Sequence, residues 1–143
     1  MTTALFQLTF YLAAPFWVLM IVAPRWSWTR RVMASPWVAL LPLAVYAWFA
    51  WPHFGELWAV VSQPDLESLR AYLGQPYGAA LIWAQLIAFD LFLGRWMYFE
   101  GRARGIPALV VSPILLLTIF LSPVGLVAFL AVRDVRRRAP VPV

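Results

Sequence analysis

Apolar residues run through this chain in long blocks broken at prolines and charges, without the two-residue alternation of a half-buried strand. Cut at those breaks, the pattern predicts four helices over residues 4–23, 36–54, 77–99 and 107–132. Each meets or approaches the roughly 20 residues a helix needs to cross the hydrocarbon core of a bilayer. The first ends at Pro24 and Arg25, because proline disfavours helix at the residue before it and arginine seeks headgroups. The second contains Pro42 and finishes in Trp51, Pro52 and His53. It is short, and its Trp37, Tyr46, Trp48, Phe49 and Trp51 suit an interfacial belt.

Between the second and third blocks, residues 55–75 mix Glu56, Asp65, Glu67 and Arg70 with apolar positions. Pro64 and Asp65 precede Leu66, Leu69 and Leu73 at helical spacing, the pattern of a capped amphipathic helix lying along a membrane surface. With no low-complexity linker and no internal repeat, the expectation is a single all-α domain, 1–143. Its fold class is an integral membrane bundle of four transmembrane helices, with a short amphipathic interfacial helix between the second and third.

Composition agrees: 64% of the 143 residues are hydrophobic and 12% charged, and the mean hydropathy is +0.79. All eleven basic residues are arginine, clustered near the ends of apolar blocks, where they can reach lipid phosphates. The net charge of +5 therefore predicts membrane lipids as partners and no nucleic acid. There is no cysteine and one histidine, so no metal site is expected. Met1-Thr2-Thr3-Ala4 leads straight into an apolar stretch, without the basic start of a signal peptide or a transit sequence. A retained first helix and a bacterial inner membrane are the expectations. Four straight spans divide the arginines evenly between the two sides, so the positive-inside rule leaves orientation open unless the fourth segment, broken by Pro113 and Ser122-Pro123, does not cross.

The third block contains Asp90, with Arg95 further along. A carboxyl deep in an apolar helix is costly, so it pairs, braces a neighbour or serves a ligand or proton path. At 100 degrees per residue, Trp83, Leu86, Ile87, Asp90, Gly94 and Met97 share a stripe, while Gln85 and Arg95 fall away from it. Asp90 and Arg95 are thus not a same-face pair. Gly94, one turn past Asp90, would admit a close helix or a flat ligand. Bracing of a neighbouring helix by Asp90 explains the pattern as well as chemistry does. His53 at a block end reads as a solvated histidine, and Ser122-Pro123 with Gly125 as a kink. No Walker loop, dinucleotide fingerprint or nucleophile elbow is present.

Three separated motifs carry a resemblance. Residues 15–24 (PFWVLMIVAP), residues 89–98 (FDLFLGRWMY) and residues 122–126 (SPVGL) with Arg133 are similar to the abscisic-acid-deficient-type membrane family, whose plant members are associated with neoxanthin synthesis. The resemblance extends in order and spacing over nearly the whole chain.

That resemblance implies a carotenoid or other polyene lipid as partner. It also implies an isomerisation in which an epoxide opens to leave an allene, with no cofactor because the product is an isomer. On it, Asp90 and Arg95 are the candidate catalytic residues, and Trp83, Gln85, Gly94 and Tyr98 the candidate substrate-binding residues. Gln85 stands where plant members carry a histidine, and glutamine does not exchange a proton near neutral pH. A non-catalytic polyene- or lipid-binding protein and a small accessory subunit of a membrane complex are the alternatives, and self-association into a homo-oligomer is compatible with the pattern.

Overall fold

The computed structural model describes residues 1–138, and every described element is helical. In order these are α1 (Thr2–Val22), α2 (Ser27–Ala34), a 3-10 turn (Pro36–Ala39), α3 (Leu40–Ala50), α4 (Phe54–Ser62), α5 (Leu66–Leu73), α6 (Pro76–Ala103), α7 (Ala108–Phe120) and α8 (Ser122–Arg138). The chain divides into two compact units, one of Met1–Ala14 and Ala39–Phe89, the other of Pro15–Val38 and Asp90–Val143.

α1 and α6 are long and apolar enough to cross a membrane, and a third crossing results if Ser27–Ala34 and Pro36–Ala50 count as one bent span. The expected fourth span, 107–132, is not a single helix. α7 is apolar but only 13 residues long, about 20 Å at 1.5 Å per residue, and it stops one residue before α8 begins. Large apolar side chains such as Val18, Val22, Phe89, Leu109 and Phe120 face outward, as a lipid-facing surface requires.

In the first unit, Val45, Phe49 and Ala50 of α3 bury against Ala80, Leu81 and Ala84 of α6, with Leu5 and Leu12 of α1 packed alongside. The expected surface helix is present as α5. Its N-cap Asp65 accepts a hydrogen bond from the Ser68 amide at 3.0 Å, and Leu66 and Leu69 lie exposed along it. α4, with no buried residue, precedes it.

In the second unit, the end of α1 and the latter half of α6 run in the same direction, since Trp17 packs on Gly94 and the Pro24 carbonyl accepts from Tyr98 Oη at 2.8 Å. α6 then closes in a Schellman turn: Gly105 N–H bonds the Arg102 carbonyl, Ile106 N–H bonds the Gly101 carbonyl, and Gly105 takes φ +64°, which glycine adopts without strain.

α7 runs back along α6, with Val111 over Gly101 and Thr118 Oγ1 3.7 Å from Met97 Sδ. α8 reverses again: from Ser122 beside Asp90 it returns to put Phe129 against Trp96, ring centroids 5.4 Å apart, and near Gly101. α7 and α8 therefore form a hairpin whose two ends lie at the same end of α6. Arg133, one turn past Phe129, emerges beside Arg102 and Arg104, at the boundary that Arg25 also occupies through Pro24. The even division of arginines expected from four straight spans disappears.

Candidate functional site

The tip of the α7–α8 hairpin meets α6 at Asp90. Leu121 ends α7, its amide bonded to the Leu117 carbonyl at 2.8 Å, and Ser122 opens α8. Pro123 fits the first turn of α8 because the amide it lacks would have had no helical partner. Gly125 permits the close approach of the two arms, since a Cβ there would overlap Thr118. Thr118 turns its own hydroxyl onto the Ile114 carbonyl at 2.8 Å, leaving no polar group loose at this contact.

Asp90 is half-buried, with the Ser122 side chain within hydrogen-bonding reach of its carboxyl. It thus faces the N-terminal end of a helix, where the aligned peptide dipoles favour negative charge. No ion pair engages it among the described residues. Such a carboxyl can give or take a proton, and it can also hold the start of α8 in place.

Arg95 turns away from Asp90. Its Nε donates to the Met33 carbonyl at 2.6 Å and its Nη2 to the Ala34 carbonyl at 2.8 Å. These are last-turn carbonyls of α2, left unpaired by the helix end and favourable to a cation. The Phe99 ring lies beneath the guanidinium at 5.2 Å. Tyr98 is 2% exposed; its hydroxyl and Arg102 Nη1 converge on the Pro24 carbonyl at 2.8 and 3.0 Å. Both residues therefore clamp the α1–α2 segment to α6. The open approach expected at Gly94 is filled, because the six-membered ring of Trp17 lies where a side chain would begin.

Trp83 and Gln85 belong to the first unit. Trp83 stacks on Phe6 with centroids 5.2 Å apart, and its indole Nε1 is buried without a partner in the chain. Gln85 is half-buried. The first unit also holds polar groups that the sequence did not single out. An apolar groove of about 1000 Å³, lined by Ala44, Ala47, Trp48, Phe49 and Trp51, reaches His53 and Tyr77. Next to it lies a smaller cavity of about 330 Å³ lined by Glu56, Ser68, Tyr72 and Tyr77. Tyr72 is 6% exposed and its hydroxyl has no partner in the chain. Burial, with Glu56 and Tyr46 adding to it, raises the Tyr72 phenol above its ordinary range, so it stays neutral. Residues 53, 56 and 77 are far apart in sequence, and only the mixed polar and aromatic character of a helix-end turn could have signalled them.

Comparison with known proteins places these features. The ABA DEFICIENT 4-like family model matches residues 4–129, and the chain belongs to that family. It is similar to Protein ABA DEFICIENT 4, chloroplastic, of Arabidopsis thaliana, with 28% identity over 120 residues, covering 80% of this chain and 53% of the relative. The chain thus spans about half the length of that relative. No solved structure matches. The comparison gives no support to the expected bacterial inner membrane, since the relative is named as chloroplastic.

Proposed function

We propose that this member of the ABA DEFICIENT 4-like family handles a carotenoid-type polyene within the membrane, with Asp90 as its proton-exchanging group. The supporting observation is the position of Asp90: a half-buried carboxyl without an ion pair, at the tip of a hairpin that stops inside the apolar zone. An intramembrane carboxyl placed there has the access and the single hydroxyl partner that proton transfer needs.

On this reading the reaction is an isomerisation of an epoxy-polyene. The epoxide C–O bond breaks as its oxygen gains a proton, and a C–H bond on the adjacent carbon gives up a proton to complete the cumulated double bond. Atoms balance without an oxidant or reductant, and no cofactor is invoked. Asp90 serves one of the two proton transfers. Gln85 and Trp83 remain substrate-binding candidates, through an amide that can orient an oxygen and an unpartnered indole N–H. Arg95, Gly94 and Tyr98 enter as positioning residues, because their contacts fix α1 and α2 on α6.

A second reading is favoured by the Ser122 contact itself: Asp90 braces the start of α8 and the protein binds lipid or a partner subunit without catalysis. One purification separates the two. The protein is extracted in mild detergent from a carotenoid-producing host, and its absorption spectrum and lipid-extract mass spectrum are recorded. A stoichiometric polyene, together with turnover of an epoxy-carotenoid that Asp90→Asn abolishes while the protein stays folded, supports the isomerase. Polyene that returns unchanged from wild type supports a carrier. A colourless protein that unfolds on Asp90→Asn supports the brace.

A further inference from the structure

His53, Glu56 and Tyr77 come from three different places in the chain and meet at one end of the apolar groove in the first unit. His53 occupies the N-cap position of α4, yet its side chain makes no capping bond. Instead its ring lies flat on Tyr77, centroids 3.7 Å apart and 3° from parallel. Tyr77 sits in the first turn of α6, after Pro76, and donates its hydroxyl to Glu56 Oε2 at 2.5 Å. Glu56 Oε1 is 3.7 Å from His53 Nδ1. The close seat of Gly78 on the Tyr72 carbonyl fixes this end of α6 against α5.

The carboxylate favours the imidazole proton on Nδ1, as second partners of functional histidines do, leaving Nε2 as an acceptor. No hydrogen bond to Nε2 is made among the described residues. His53 and Tyr77 line the groove alongside Trp48, Phe49 and Trp51. Its volume of about 1000 Å³ matches the upper end of small-molecule sites, which pair apolar walls with a few convergent polar groups.

We propose that this groove binds a long apolar molecule ending in a neutral hydroxyl, with the hydroxyl at His53 Nε2. Two features select that end group. A pure hydrocarbon would leave the imidazole acceptor unpaired beside an apolar chain. A carboxylate would face Glu56, and no arginine lines the groove to offset the repulsion. The site is separate from Asp90 and requires neither catalysis nor a polyene substrate.

The test uses the full chain in lipid nanodiscs, with retinol as probe and energy transfer from tryptophan to retinol as readout, corrected with empty nanodiscs. Anhydroretinol, which lacks the hydroxyl, and retinoic acid, which ends in a carboxylate, are the comparators. Wild type binds retinol about tenfold more tightly than either, the size of one good hydrogen bond. His53→Ala brings retinol down to the level of anhydroretinol. Glu56→Gln narrows the gap between retinol and retinoic acid, a change that loss of fold would not produce. Asp90→Asn leaves all three affinities unchanged, which keeps this result independent of the isomerase reading. Equal wild-type affinities for retinol and anhydroretinol would overturn the proposal, as would retinol binding that survives His53→Ala or is lost in Asp90→Asn.

Discussion

Trp17 of α1 lies with the six-membered ring of its indole where a side chain on Gly94 of α6 would begin, and is itself 4% exposed. The contact joins residues 77 apart in sequence. It explains why a glycine follows Asp90 by one turn: the space belongs to a neighbouring helix. Gly94→Val should destabilise the protein by about 1–3 kcal/mol through overpacking, and Trp17→Ala by about 3–5 kcal/mol through loss of packing. In the Trp17→Ala background the valine should cost much less. Thermal unfolding of the four variants in detergent gives the coupling, and additive effects would mean that the two sites do not touch.

Arg95 makes its two backbone bonds at the end of α2, so its removal should loosen that helix before it alters any chemistry. Arg95→Gln should cost about 2 kcal/mol, the range for hydrogen bonds from a charged donor, and should raise hydrogen exchange in α2. Arg95→Lys should recover only part, because an ammonium does not reproduce the fork of two donors. Unchanged exchange in α2 would contradict the clamp.

The α7–α8 hairpin predicts a topology that can be read directly, because the chain contains no cysteine. Single cysteines at the exposed positions Arg104 and Arg136 should react with a membrane-impermeant maleimide from the same side. That side should be the cytoplasmic or equivalent face, by the positive-inside rule. Labelling from opposite sides would mean that residues 107–132 cross as one span. Gly125→Leu should open the hairpin by forcing α8 off Thr118.

α5 carries a pH dependence of its own. Hydrogen bonds from Ser68 hold the Asp65 carboxyl below its ordinary value of 3.8. A carboxylate whose folded pKa is depressed contributes stability that is present above the unfolded value and is lost as pH falls through the folded one. Protection of the Ser68 amide should therefore be steady at pH 5 and above, and decline as pH drops below 4. Asp65→Asn should flatten that decline, since asparagine caps without titrating.

How much of this was legible in sequence differs element by element. The α5 cap was readable because its signals are local: Asp65 accepts from an amide three residues away, and the leucines follow the helical period. The ends of α1 and α6 were likewise marked by Pro24-Arg25 and by Gly105. Asp90 stood out because burying a carboxyl among apolar residues carries a cost visible in composition alone. The three motifs that resemble the ABA DEFICIENT 4-type family were also in the sequence, and the family model matches through all of them.

Tertiary structure decided what those residues touch. Arg95 and Tyr98 read as free polar groups beside Asp90, but helix ends leave carbonyls unpaired, and the nearest ones belong to residues more than sixty positions away. Residues 107–132 read as a span because hydropathy counts apolar residues without direction; Gly125 and Thr118 fit together so closely that the chain turns back instead. His53 read as a solvated histidine because its partners, Glu56 excepted, are absent from its neighbourhood in sequence. Hydrophobic pattern and local capping fix which segments are helices and which are apolar, since both act within a few residues. Which polar groups are spent on backbone and which stay free is set by long-range packing, and that only the folded chain decides.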